Sequence, residues 1–141
     1  MVKTVPTALV ADDHYGIRHL LSTIMEEIGY KVSLAKNGFE AVEAVEKYRP
    51  YLVFLDVQMP VMSGLQALGR IKAISPETTV VIMTAYISRE VVSAAMEKGA
   101  SFCIAKPFDI NKTRPFLQKF FNEEGVCGCC LPNNCSMVLP V

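Results

Sequence analysis

Four runs of apolar residues, each ending in a small polar cluster, constrain this chain more than any other feature. Thr7-Ala8-Leu9-Val10-Ala11 leads into Asp12-Asp13, and Tyr51-Leu52-Val53-Phe54-Leu55 leads into Asp56. Val80-Val81-Ile82-Met83 leads into Thr84, and Phe102-Cys103-Ile104-Ala105 into Lys106. Short continuous apolar runs suit strands buried on both faces, as in parallel sheets. If all four belong to one such sheet, their polar ends fall on the edge where open α/β sheets bind ligands. Three carboxylates, a hydroxyl and an ammonium then share one crevice, a combination suited to a hard cation and a phosphoryl group.

The stretches between the runs carry helical spacing. Ile17, Leu20, Leu21, Ile24, Met25 and Ile28 follow the i, i+3, i+4, i+7 rule, and Gly29 stands where such a helix would stop. Lys31 to Ala35 reads as a short strand before a turn at Asn37-Gly38. Ala41, Val42, Val45 and Tyr48 predict a second helix ended by Arg49-Pro50. Leu65, Leu68, Ile71 and Lys72 predict a third closed by Ser75-Pro76, and Ser88 is placed to cap a fourth that Gly99 terminates. Phe116, Leu117, Phe120 and Phe121 space a fifth. Proline inside a helix costs ~3 kcal/mol, so Pro115 requires either a kink or a start near Thr113.

Five β-α units result, ending near Asn122. The alternation predicts an α/β fold, a doubly wound five-stranded parallel sheet in the order 2-1-3-4-5 with helices on both faces. In that order the first and third strands are neighbours, which brings Asp12, Asp13 and Asp56 within reach of one another. Residues 1–122 are expected to form the one domain. Residues 123–141 show no periodicity and are expected to be a tail.

Magnesium takes an octahedron of oxygen ligands, keeps several waters and binds through one or two carboxylates plus phosphate oxygens. A carboxylate can also act as a nucleophile and form an acyl phosphate. Asp56 is the candidate, because it stands alone at a strand end before the turn Gln58-Met59-Pro60. Lys106 would pair with phosphoryl charge, Thr84 would donate a hydrogen bond to a phosphoryl oxygen, and a cis Lys106-Pro107 peptide would fix the lysine's direction. Each residue alone has a plainer explanation: Asp13 as a helix cap, Thr84 as the start of a turn, Asp56 and Lys106 as surface charges. Their joint placement after four separate strands is what those explanations leave uncovered.

Asp12-Asp13, Leu55-Asp56-Val57-Gln58-Met59-Pro60-Val61-Met62-Ser63-Gly64, Met83-Thr84-Ala85 and Ala105-Lys106-Pro107-Phe108 together resemble the signature of receiver domains of two-component response regulators. The resemblance covers roughly residues 7–122 and implies their flavodoxin-like fold. It implies that Asp56 accepts a phosphoryl group from a phosphohistidine on a sensor histidine kinase or a histidine phosphotransferase, with a phosphatase as a further partner. It also implies that Asp12, Asp13, Asp56 and the backbone carbonyl of Gln58 hold Mg2+, Asp12 through water, and that Thr84 and Lys106 read the phosphorylated state. Such a protein, a monomer or weak dimer, catalyses its own phosphorylation and dephosphorylation.

More narrowly, Asp12-Asp13-His14-Tyr15-Gly16-Ile17-Arg18 with Leu20-Leu21, Met83-Thr84-Ala85-Tyr86 and Lys106-Pro107-Phe108-Asp109-Ile110 look like a receiver of the sporulation phosphorelay kind. That likeness implies that His14, Tyr15, Gly16 and Arg18, with Tyr86, Pro107 and Phe108 in adjoining loops, meet a four-helix phosphotransferase. Ile17 reads instead as core, and His19 as a surface residue.

Receivers usually carry an aromatic or histidine three residues before the lysine, and here that position is Cys103. The departure speaks against a rotating aromatic switch and tilts the reading from effector towards relay. Two other classes remain open. One is a stand-alone signalling binder, like chemotaxis receivers, whose affinity for a target changes on phosphorylation. The other is an aspartate-nucleophile phosphatase, which needs a second aspartate two residues after the nucleophile, where this chain has Gln58.

Composition excludes other classes. Fourteen basic and fourteen acidic side chains balance, which recommends neither nucleic acid nor an anionic membrane as partner. No apolar stretch reaches the ~18 residues that span a bilayer. Met1-Val2-Lys3-Thr4-Val5-Pro6 lacks the apolar region and cleavage site of a signal peptide, so a cytoplasmic location is expected. No output domain is expected after the receiver-like region, so direct DNA binding is not expected and any effect is expected to pass through protein contacts or onward phosphotransfer. Cys127, Cys129, Cys130 and Cys135 include a C-x-x-C spacing. The segment is too short to present two well-separated pairs of zinc ligands easily, so free thiols in a reducing compartment are expected ahead of a metal site.

Overall fold

The computed structural model describes residues 6–85, 88–106, 114, 115, 118, 138 and 139. Its strands are β1 (Thr7–Ala11), β2 (Lys31–Ala35), β3 (Leu52–Asp56), β4 (Thr79–Thr84), β5 (Phe102–Ala105) and β6 (Val138–Leu139). The helices are α1 (Tyr15–Ile28), α2 (Gly38–Tyr48), α3 (Gly64–Ile74) and α4 (Arg89–Glu97). The first five strands are parallel and ordered β2-β1-β3-β4-β5, as expected.

The pleat divides the apolar runs between two cores, because successive side chains of a strand point to opposite faces. Ala8, Val10, Leu52, Phe54, Val81, Met83, Phe102 and Ile104 face Leu21, Ile24 and Met25 of α1. Leu9, Val53, Leu55, Val80, Ile82 and Cys103 face Ala41, Val45, Ala67, Leu68, Ile71 and Ala95 of the other helices. Burial on both faces is why β3 and the body of β4 read as unbroken apolar runs. The edge strand β2, with Lys31 and Leu34 exposed, does not. Ile17 packs against the α1 side of the sheet, as its spacing predicts.

Capping fixes the helix starts that aim the functional loops. Asn37 accepts a hydrogen bond from the Glu40 amide, so Asn37-Gly38 opens α2 rather than making an isolated turn. Ser63 and Gln66 form a reciprocal capping box on α3, and Ser88 caps α4 through the Val91 amide. Gly29 ends α1 at φ 130°, a conformation open to glycine. At the opposite edge of the sheet from the polar clusters, Thr78 Oγ1 donates to the Pro50 carbonyl and bonds Ser75 Oγ at 2.7 Å, tying the ends of α2 and α3 to the start of β4.

Within residues 123–141, expected to be a tail, two residues carry a short strand. Val138–Leu139 forms β6, parallel to β5, with Cys103 opposite Val138 and Ile104 opposite Leu139. The outer side of β5 would otherwise present unpaired backbone groups, and two apolar residues are too few to register as periodicity. Arg114, Pro115 and Gln118 are helical, and Arg114 pairs with Glu27 at the end of α1 at 2.8 Å. The start of that fifth helix, and with it the choice between a kink and a late start, lies outside the described residues. So do the Lys106-Pro107 peptide geometry and the four clustered cysteines. Among the described residues no helix is long and apolar enough to cross a membrane.

Candidate functional site

The four polar clusters meet at the C-terminal edge of the sheet. Asp12 follows β1, Asp56 ends β3, Thr84 ends β4 and Lys106 follows β5. The register sets Asp56 opposite Met83, one residue before Thr84, and Thr84 opposite Ala105, one before Lys106. Asp12, Asp56 and Thr84 are buried, and Lys106 retains 12% exposure of its side chain.

Lys106 Nζ lies 2.6 Å from Asp12 Oδ2 and 3.3 Å from Asp56 Oδ1, so one ammonium partly neutralises two buried carboxylates. It does not complete the job. The contact to Asp12 Oδ2 lacks hydrogen-bond geometry and leaves that sealed oxygen with capacity for a positive ligand. Burial, reinforced by the negative charge of Asp12, pushes the Asp56 carboxyl up to about 6, against the opposing pull of Lys106. The donor atoms of Asp12, Asp13, His14 and Asp56 all lie within 4.8 Å of one another. A pocket of hard oxygen donors with surplus negative charge fits a divalent cation.

The Asp12-Asp13 loop is braced from α1. Arg18 donates from Nη1 to the Asp12 carbonyl at 2.7 Å, and its guanidinium lies 5.8 Å from the Tyr15 ring centre. Asp12 Oδ1 accepts the His14 amide at 2.8 Å, and the helix begins one residue later. Asp13 therefore does not cap α1; its carboxylate sits 3.2 Å from His14 Nδ1. The β3–α3 loop is closed by hydrogen bonds from the Val57 amide to Met83 and from the Gly64 amide to Val57. A Cβ at Gly64 would run into the Asp56 carbonyl, so only glycine lets α3 start this close to the acceptor strand. Val61 holds φ 71°, a strained value for a β-branched residue, and is largely exposed.

Among the described residues, those expected at a partner face separate into two groups. His14, Tyr15 and Gly16 are exposed beside the pocket, and nothing would obstruct a Cβ at Gly16. Arg18 is half-buried and already engaged with the loop. Tyr86, Pro107 and Phe108 lie outside the described residues. Gln58 is exposed in the loop after Asp56, and Cys103 is buried with its thiol pushed up to about 11 by desolvation. Sequence reasoning missed the His14 ring among the carboxylates, the brace from Arg18 and the close approach at Gly64. The run Asp12-Asp13-His14 and the glycine at a helix start were the available signals.

Residues 8–118 match the response regulator receiver domain, and the chain belongs to that family. It is 42% identical over 112 residues to Sporulation initiation phosphotransferase F of Bacillus subtilis (strain 168), covering 79% of this chain and 90% of that protein. Chemotaxis protein CheY of Listeria monocytogenes is 35% identical over 112 residues, covering 79% of this chain and 94% of that one. The match to Regulatory protein AtoC of Escherichia coli, at 32% identity, covers only 24% of that protein. The structure of chemotaxis protein CheY4 of Vibrio cholerae superposes with a TM-score of 0.77 at 29% identity, covering 82% of this chain and 98% of that one. A CheY-like receiver from Methanospirillum hungatei gives 0.80 at 24% identity, with 86% and 97% covered, a likeness of fold.

Proposed function

We propose that Asp56 accepts a phosphoryl group from a partner's phosphohistidine and that the chain passes it on in a phosphorelay. The observation that carries this reading is a buried carboxylate at a strand end, pressed by a second carboxylate and reached by one lysine. Asp56 supplies the nucleophilic oxygen: its bond to phosphorus forms as the bond from phosphorus to the partner's imidazole nitrogen breaks, and the imidazole leaves with the electron pair. Lys106, held between Asp12 and Asp56, turns towards the added phosphoryl oxygens, and the Thr84 hydroxyl donates to one of them. Asp12, Asp13, Asp56 and the Gln58 carbonyl would hold magnesium, which offsets phosphoryl charge.

The relay reading draws on the likeness to the Bacillus subtilis phosphotransferase and on the exposed His14, Tyr15 and Gly16 beside the pocket, where a helical phosphotransferase would dock. A sensor kinase and a cytoplasmic setting belong to the same reading. The test is phosphotransfer with labelled histidine kinases and phosphotransferases as donors. Label should reach the wild-type chain, leave it for a second histidine protein, and never appear on Asp56→Asn. Label that enters but never leaves would favour the stand-alone binder; full labelling of Asp56→Asn would show the acceptor to be wrong.

A further inference from the structure

Among the described residues at this pocket, His14 has a side chain that neither the fold nor the phosphoryl chemistry requires. Its ring is exposed, yet Nδ1 lies 3.3 Å from Asp12 Oδ1 and 3.2 Å from Asp13 Oδ1. In an octahedron with ligands at about 2.1 Å, neighbouring donors stand about 3.0 Å apart and opposite donors about 4.2 Å. The imidazole therefore stands near the spacing of an adjacent ligand beside both carboxylates, and Asp56 is a fourth donor. The four lie within 4.8 Å of one another, a little wider than the ~4.2 Å of an occupied octahedron. Asp12 is fully buried, with Oδ1 facing the imidazole and Oδ2 paired with Lys106 Nζ at 2.6 Å. One lysine charge is thus shared between Asp12 and Asp56, and the pocket keeps surplus negative charge.

The local backbone makes the nitrogen available. His14 stands just before the first helical residue in extended conformation, φ −89° and ψ 119°, and its amide is held by Asp12. Three donors thus come from consecutive residues of one loop, with the fourth fixed on the neighbouring strand.

We propose that His14 Nδ1 is a protein ligand in this pocket and biases it towards a transition divalent ion, of which manganese is the probe, over magnesium. Imidazole suits transition ions, whose affinity for nitrogen donors exceeds that of magnesium, while magnesium holds to oxygen and its own waters. The proposal rests on the pocket's binding a divalent cation at all, which the same experiment checks separately.

The full chain, stripped with chelator, is titrated calorimetrically with manganese and with magnesium, and its manganese complex is read by pulsed electron paramagnetic resonance. Manganese is preferred to zinc because the thiols of Cys127, Cys129, Cys130 and Cys135 compete for it less. The wild-type complex should show coupling to a directly bound nitrogen, retained in His19→Gln and lost in His14→Gln. The ratio of manganese to magnesium affinity should fall on the order of tenfold in His14→Gln, with magnesium binding changed about twofold or less. A wild-type spectrum without nitrogen coupling overturns the proposal whatever the variant does, as does an unchanged affinity ratio. If neither ion binds the wild-type chain, the cation site itself is refuted. If both bind and only the nitrogen signature is missing, the cation site stands and the role of His14 falls.

Discussion

Replacing Asp56 by asparagine should stabilise the cation-free protein at neutral pH, although it destroys the acceptor. The carboxyl rises from 3.8 to about 6 on folding, first through burial and then through the charge of Asp12. At 25 °C that difference opposes folding of the ionised form by ~3 kcal/mol. Asparagine keeps the shape without the charge, and the opposing pull of Lys106, 3.3 Å away, is already contained in the raised value. The net gain is ~3 kcal/mol. Because the folded pKa lies above the unfolded one, the native state binds the extra proton between the two values. Wild-type stability should therefore fall as pH rises from about 4 to about 6, and be fully reduced above that window. Urea unfolding in chelator, with the slope unchanged, should give the variant an advantage of ~3 kcal/mol at about pH 7.5, shrinking to ~1 kcal/mol at about pH 4.5. Excess magnesium should narrow the gap by stabilising the wild-type chain. A variant less stable than wild type at neutral pH, or a gap independent of pH, would refute the electrostatic argument.

Lys106→Ala should keep the fold yet lose the amide shift changes that follow phosphorylation; a normal response in nuclear magnetic resonance spectra would remove the role given to the lysine. Arg18→Ala gives up the 2.7 Å bond to the Asp12 carbonyl, worth ~1–2 kcal/mol, and should slow labelling by acetyl phosphate several-fold with no partner present. Unchanged labelling combined with impaired partner transfer would mean that Arg18 acts by docking alone. Val61→Gly should raise thermal stability by ~1 kcal/mol, because glycine relieves the strained φ of 71°. A lowered melting temperature would show that the exposed valine contributes packing that outweighs its strain.

The architecture was legible because it follows from rules that act locally. Apolar runs mark strands buried on two faces, helical spacing marks the segments that cover them, and a parallel sheet gathers every strand end on one edge. Asp12, Asp56, Thr84 and Lys106 could thus be placed together before any distance was known. Ser88 as a cap and Gly29 as a stop were equally local. The clustered cysteines and the loop residues Tyr86, Pro107 and Phe108 fall outside the described residues.

Spacing along the chain is enough to place the sheet, its order and the set of groups at its edge. Tertiary structure decided how those groups are charged and braced. Lys106 shared between two carboxylates, Asp56 raised by burial, Arg18 turned inward to the Asp12 carbonyl and His14 drawn among the acids all depend on angles and desolvation set by the packed loops. Gly64 against Asp56 and β6 along β5 are contacts across the fold, which no local pattern encodes. Periodicity specifies which face a residue takes; the dielectric and the donor geometry it meets there arise only once the chain has closed around it.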